Sequence, residues 1–140
     1  MSKSTDELKT RDHFTITVDY SLSLLEMVAA GKYDYANENI VAKNFPISGT
    51  GTVREEVILV HFDRFIESED AIREMGEIGL EPCPIEDLLA FGAQYPNVQR
   101  EFPIVCLGSS WVNLHGDRSV QFLSHRDRGR ALYLDWFGRG

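Results

Sequence analysis

The sequence predicts an α+β domain with one antiparallel or mixed sheet of about five strands, in the order β-α-β-α-α-β-β-β, and helices on one face. Strand-like segments lie towards both ends of the chain, and two helix-like segments lie between them. Short polar turns join the C-terminal strands, as is typical of antiparallel neighbours. With 140 residues, of which 43% are hydrophobic, the chain fits a single domain over 13–140. The polar residues 1–12 are expected to form a flexible tail.

The N-terminal third predicts a strand, a short helix and a second strand. Apolar residues alternate with polar ones over His13–Tyr20, which is the period of a half-buried strand. Ser23 and Glu26 have the spacing of a capping box at a helix start. Residues 32–51 show no clean period, and we expect a loop there. Val53–Phe62 predicts a long strand, and its apolar second half places that strand centrally in the sheet.

Two helices are predicted in the middle of the chain. Ser68 is a suitable cap for a helix over 69–78, whose first turn contains two acidic residues. Pro84 suits the first position of a second helix over 85–95, and Pro96 stops it. Apolar residues at helical spacing in both segments predict that each helix buries one face.

Three strands are predicted at the C-terminal end. The first begins with the apolar run Phe102–Leu107 and continues, after a bulge or turn at residues 108–110, into Trp111–His115. Arg118–Ser124 and Ala131–Phe137 follow, each after a short polar turn. These three strands are therefore expected to pair as antiparallel neighbours.

The charge of the chain is unevenly distributed. The net charge is −8, with 19 acids and 9 bases in residues 1–101 and 3 acids and 5 bases in residues 102–140. Nucleic-acid binding depends on Lys and Arg that neutralise phosphates. The helix pair at 69–78 and 85–95 has the length of a helix-turn-helix, but its second helix contains no basic residue. Direct DNA binding is therefore disfavoured.

The sequence also favours a soluble, cytoplasmic protein. It contains no run near the roughly 18 apolar residues that indicate a membrane span, and its polar N-terminus lacks the apolar core of a signal peptide. Its two cysteines, Cys83 and Cys106, fit free thiols in a reducing compartment better than a disulfide. Cys106 lies in an apolar run and Cys83 lies among acids, and neither environment favours a reactive thiolate.

His-x-Asp patterns are the candidate metal-binding motif. On a strand, residues i and i+2 share a face, so each pattern could place an imidazole beside a carboxylate. The three pairs are His61/Asp63, His115/Asp117 and His125/Asp127. Two of the pairs lie at predicted turns, where Asp also favours the backbone geometry, and we prefer that structural interpretation. No cofactor is predicted.

A basic and aromatic cluster in the C-terminal strands is the candidate interaction site. Arginine and aromatic side chains are enriched where proteins meet. The candidate residues are Arg118, Arg126, Arg128, Arg130, Trp111 and Trp136. If the aromatic residues face outward they form an interface, and if they face the helices they are core.

One segment resembles sequences of other proteins. The stretch Gly79-Leu-Glu-Pro-Cys-Pro-Ile-Glu-Asp-Leu-Leu-Ala-Phe-Gly-Ala-Gln-Tyr-Pro, together with Gln99-Arg-Glu-Phe-Pro-Ile-Val-Cys-Leu-Gly-Ser-Ser-Trp111, is similar to a segment shared by a family of uncharacterised bacterial proteins. The resemblance covers about a quarter of the chain. It implies a bacterial, intracellular origin, and it implies no activity or site residue.

Two functions remain open from the sequence. The first is a non-enzymatic protein-protein interaction module, favoured by the small size, the segregated charge and the lack of a convergent catalytic set. The alternative is a small metal-dependent hydrolase or ligand-binding enzyme that uses the His/Asp pairs. A protein partner is expected in the first case, and a homodimer through the edge left by the last strand is a variant of it.

Overall fold

The computed structural model describes residues 12–62, 66–126 and 129–137, so the predicted N-terminal tail lies outside the described residues apart from Asp12. The described residues form an α+β fold with three α-helices, six strands and one short 3-10 helix. In chain order the elements are β1 (Asp12–Asp19), α1 (Leu24–Ala30), β2 (Tyr35–Ala36), β3 (Thr52–Leu59), α2 (Ser68–Glu77), α3 (Ile85–Gln94), the 3-10 helix (Val98–Arg100), β4 (Ile104–Val112), β5 (Arg118–Arg126) and β6 (Gly129–Trp136).

The strands form two sheets, so the prediction of a single sheet of about five strands was wrong. β1 and β3 pair with each other as an antiparallel ribbon. The second sheet has the order β2-β6-β5-β4, in which β2 runs parallel to β6 and the other pairs are antiparallel. The mixed character was one of the predicted options. β2 was missed because it has only two residues, and a strand that short leaves no period in the sequence.

Helix α3 explains why the sheet is divided. It contacts both sheets, through β1 on one hand and β4 and β5 on the other, and it also packs against α1. Its buried apolar residues are Ile85, Leu88, Leu89, Phe91 and Gly92. A helix that is apolar on most of its surface has to be enclosed. The ribbon and the four-stranded sheet both pack on α3, so it is an interior element and does not simply cover one face of a sheet.

Several local predictions are confirmed. Ser23 accepts a hydrogen bond from the Glu26 backbone, and Glu26 accepts one from the Ser23 backbone, which completes the capping box of α1. The register of β4 against β5 shifts between Cys106 and Trp111, which is the bulge expected at residues 108–110. Ser68 was wrong as a cap, because it is the first helical residue of α2 and Glu67 occupies the cap position.

Within the described part of the chain, no helix is long and apolar enough to cross a membrane.

Candidate functional site

The four-stranded sheet has one face towards α3 and one face away from it. Gln121 and Leu123 of β5 face the interior, since Gln121 contacts Cys106 and Leu123 belongs to the core. Phe122 therefore faces the opposite side, because successive residues of a strand alternate. The strand register places Val105 and Tyr133 beside Phe122 on that side. We call these three residues, together with Tyr35, Arg118 and Val112, the outer face.

A row of aromatic rings crosses the outer face. The ring centroids of Tyr35 and Tyr133 are 5.2 Å apart, and those of Phe122 and Tyr133 are 5.4 Å apart. Both distances lie in the range of favourable aromatic contacts. Tyr35 is 47% exposed and Val105, at the other end of the row, is 54% exposed. Val120 lies on the same side of β5 but is 2% exposed, so the accessible surface is this row and its margins.

Arg118 lies at one margin of the outer face. Its guanidinium stacks on the ring of Phe137, with 3.9 Å between the guanidinium carbon and the ring centroid. Its Nε also donates a hydrogen bond to Ser110 Oγ over 3.0 Å. These contacts fix the positive charge on the outer face, roughly 13 Å along β5 from Phe122 at the rise of a strand. The remaining guanidinium N–H groups suit a carboxylate of a partner.

Arg130 has a different position from the one predicted. It is 7% exposed, and its guanidinium donates hydrogen bonds to the carbonyl oxygens of Gly31 and Gly92 and to Gln99 Oε1. It also stacks on the ring of Tyr33 at 4.8 Å. Arg130 therefore joins interior elements, because it shares the inward side of β6 with Leu132, and it is not part of the outer face.

The other predicted interaction residues, apart from Arg118, either face inward or have side chains outside the described part of the chain. Trp111 pairs with Ser119 in the register and packs partly buried against the core, so it faces inward. Arg128 lies outside the described residues, as do the side chains of Arg126 and Trp136. Of the six predicted residues, Arg118 is the one that the structure places on the outer face.

The His/Asp pairs lie at separate places in the fold. His115 and Asp117 lie in the β4–β5 turn, where both backbone N–H groups donate to Asn113 Oδ1. His125 is at the far end of β5, roughly 25 Å away at the rise of a strand. His61 follows β3 and contacts Phe102 edge to face, with 4.7 Å between ring centroids. Asp63 and Asp127 are outside the described residues.

The separation of the described His/Asp residues counts against the hypothesis of a metal site. In the described ranges, no group of three or more His, Cys, Asp or Glu side chains is arranged to hold a metal ion. The residues that a metal-dependent hydrolase would use are therefore not brought together by the parts of the fold that the structure describes.

Both cysteines are free thiols in protected positions. Cys106 is 2% exposed, and its Sγ donates to the carbonyl oxygen of Cys83 over 2.8 Å. Burial raises the pKa of Cys106 above its ordinary value. Burial, together with the charge of Asp87, raises the pKa of Cys83 to about 12. A nucleophilic cysteine requires a lowered pKa, so the geometry of both thiols opposes that role.

Sequence reasoning missed most of the outer face. Tyr35 lies in the short strand β2, which the sequence does not indicate, and Val105 was interpreted as part of an apolar run. The alternation around Phe122 could have identified a two-faced strand, but it does not say which face the helices cover. No protein-family model, curated protein or solved structure matches this chain.

Proposed function

We propose that this chain is a cytoplasmic, non-enzymatic interaction module that binds another protein through its outer face. The observation that carries the proposal is the row of neighbouring, mutually tilted rings of Tyr35, Tyr133 and Phe122, all at least partly exposed. Interfaces are enriched in Tyr and Phe because large rigid rings bury much apolar area at a small entropic cost. The free thiols are consistent with a reducing compartment.

Charge indicates the kind of partner. Of the five bases in residues 102–140, the structure places Arg118 on the outer face and buries Arg130. The outer face is built mainly from the C-terminal strands and has Arg118 at its margin. An apolar patch bordered by carboxylates would be complementary to it, and complementary charge accelerates encounter and excludes wrong partners. A partner surface of that kind is therefore part of the proposal.

A second copy of the chain is the alternative partner. β4 pairs with β5 along one side, and among the described strands nothing pairs with its other side. β6, the strand for which an open edge was predicted, pairs with β5 and over two residues with β2. An exposed strand edge can pair with another chain, so a homodimer would use β4 or the end of β6.

The test compares three baits in a pull-down from lysate of the source organism. The baits are the wild type, the outer-face variant Tyr133→Ser, and Leu114→Ser as the control. Leu114 is fully exposed in the β4–β5 turn and lies away from the aromatic row. We expect one stoichiometric protein that the wild type and Leu114→Ser retain and that Tyr133→Ser loses, with weaker retention at high salt.

Two results would contradict the proposal. One is a partner that Tyr133→Ser retains as well as the wild type, since the rings would then not contribute to binding. The other is no protein partner at low salt together with a monomer in sedimentation, which would remove both the foreign partner and the second copy. A dimer in sedimentation that persists in Tyr133→Ser would assign the interface to a strand edge.

A further inference from the structure

A cavity of 280 Å³ lies beside the interior helix, and its lining includes Val105 at the margin of the outer face. Residues 57–62, at and after the end of β3, form one wall, and residues 102–107, at the start of β4, form another. Ala71 and Met75 of α2 and Leu88 and Phe91 of α3 complete a mainly apolar lining, which also includes His61, Ser68 and Glu81. The volume approaches that of pockets which enclose small organic ligands, and such pockets typically combine apolar walls with a few polar groups.

The polar corner of this cavity contains Cys83 and Asp87, and the bulge of β4 fixes its position. The Gly108 backbone N–H donates to the Cys83 carbonyl oxygen over 2.7 Å. A Cβ at position 108 would come within 2.4 Å of that oxygen, so only glycine permits the approach. Ser109 Oγ accepts from the Ile85 N–H, which anchors the first turn of α3. The corner is therefore preorganised.

Asp87 is the unusual group at this corner. It is 4% exposed, and among the described residues its Oδ1 has no hydrogen-bond partner. Buried polar atoms nearly always have a partner, so an orphaned carboxyl oxygen calls for a functional explanation. Tyr33 Oη and Arg130 Nε are also unpartnered, but neither residue lines the cavity. Asp87 itself lines the cavity, so a group bound there is the candidate for an additional partner of its carboxyl.

The electrostatic surroundings of Asp87 favour a positive group. Burial, and then the hydrogen bond and charge of Glu55 on β3, raise the pKa of Asp87 to about 7, and the charge of Glu86 adds to this effect. The ion pairs His13–Glu56, Arg73–Asp70 and Arg73–Glu77 involve other carboxylates. Asp87 is buried, and Glu55 and Glu86 near it are partly buried. Their negative charges repel one another, and a cation would relieve this repulsion.

We propose that the cavity binds a small apolar amine, whose ammonium group donates to Asp87 and whose hydrocarbon body lies against the walls from β3, α2 and β4. The apolar lining excludes strongly polar amines, because their other polar groups would be left without partners. The acids exclude carboxylate ligands by repulsion. The cavity lining shares Val105 with the outer face, but the proposed amine site does not depend on the row of rings.

The experiment measures binding of matched probes by calorimetry at pH 8, where Asp87 is mostly ionised. The probes share one skeleton: 4-phenylbutylamine, 4-phenylbutan-1-ol and 4-phenylbutanoate. A hydrogen bond to a charged group contributes about 1.5–3 kcal/mol, so we expect the amine to bind about tenfold to a hundredfold more tightly than the alcohol. The carboxylate should bind most weakly.

Two variants locate the interaction. Asp87→Asn keeps the shape of the side chain and should abolish the preference for amine over alcohol while leaving alcohol binding nearly unchanged. Ala71→Leu extends a cavity-lining side chain and should weaken binding of both probes at least about tenfold. The control is Gly76→Ala, also in α2, where an added Cβ meets nothing within 4 Å.

The outcomes separate the parts of the proposal. Equal binding of amine and alcohol, or an amine preference that survives in Asp87→Asn, would refute the role of Asp87. Absence of binding by all three probes to the folded wild type would overturn the site. Selective amine binding that is lost in Asp87→Asn and kept in Gly76→Ala supports it. Circular dichroism of each variant confirms that the comparison is made on folded protein.

Discussion

Helices α2 and α3 are equally long and begin alike, yet they have opposite positions in the fold. Each has ten residues and two acids in its first turn. In neither helix does the side chain of the cap residue form a hydrogen bond to the helix N-terminus. α2 buries Ser68 and Ala71, whereas α3 buries six residues, including Asp87. The difference shows that the composition beyond the first turn decides which helix enters the core. α3 can be enclosed because its sequence IEDLLAFGAQ is apolar on most sides.

The first-turn acids of α2 and α3 have different environments, because most of α2 is exposed or partly exposed and most of α3 is buried. Asp70 of α2 is exposed and forms an ion pair with Arg73 over 3.1 Å, and Arg73 also lies 3.7 Å from Glu77. Asp87 of α3 is enclosed beside Glu55. In α2 the acid is solvated and paired with a neighbouring side chain. In α3 the acid is buried, so its protonation is coupled to folding.

The largest expected effect contrasts the packing of the two helices. Leu89→Ala in α3 removes a side chain with no exposed surface, and large-to-small changes of this kind cost about 2–5 kcal/mol. Ile72→Ala in α2 removes a partly exposed side chain and should cost under about 1.5 kcal/mol. Urea unfolding of both variants measures the difference. Equal losses would mean that α2 is as deeply packed as α3, contrary to the structure.

The second effect concerns the pH dependence of stability. The pKa of Asp87 rises from 3.8 to about 7 on folding, so the folded state holds a proton that the unfolded state releases between pH 4 and 7. The wild type should therefore lose stability as the pH rises through this window, by about 1.4 kcal/mol for each unit of pKa difference.

Asp87→Asn tests this dependence because it cannot ionise. It should match the wild type within about 1 kcal/mol at pH 4 and exceed its free energy of unfolding by at least about 1 kcal/mol at pH 8. Asp70→Asn, at the exposed position of α2, should change stability by under about 1 kcal/mol at pH 8. Parallel pH profiles for the wild type and Asp87→Asn would show that Asp87 does not titrate with folding.

The smallest effect concerns the helix starts. The first N–H of α3 is capped from another element, since Ile85 N donates to Ser109 Oγ over 2.9 Å. Ser109→Ala should cost about 1 kcal/mol, as for the loss of an ordinary cap. Glu67→Ala removes a cap residue of α2 whose side chain makes no cap bond and should cost under about 0.5 kcal/mol. Thermal unfolding measures both, and an unchanged midpoint for Ser109→Ala would contradict the capping role.

The features that the sequence predicts are those set by neighbours in the chain. The capping box of Ser23 and Glu26, the strand that begins near His13 and the bulge before Trp111 all depend on residues close in sequence, and all are confirmed. The pairing of β2 with β6 joins Tyr35 to Ala131, and no local pattern records it. The division into two sheets depends on where α3 lies and was missed for the same reason.

The candidate site residues also depend on contacts that are distant in sequence, which no local pattern records. Arg130 and Arg118 look alike in the sequence, but strand parity and register send one inward and the other to the surface. Asp87 looks like an ordinary acid placed to favour a helix dipole, and only the approach of β3 and β4 encloses it. Burial of a polar side chain is a property of the assembled fold, so the cavity could not be predicted.

The hydrogen bonds of Arg130 also bear on the order of events during synthesis. Its guanidinium joins Gly31 and Gly92, so a residue near the end of the chain completes contacts with parts that the ribosome releases much earlier. Contacts of such large sequence separation slow folding, because the loop between them has to close first. We expect nascent chains that end before β6 to remain open to proteases, and the domain to become resistant only when its last strand has left the ribosome.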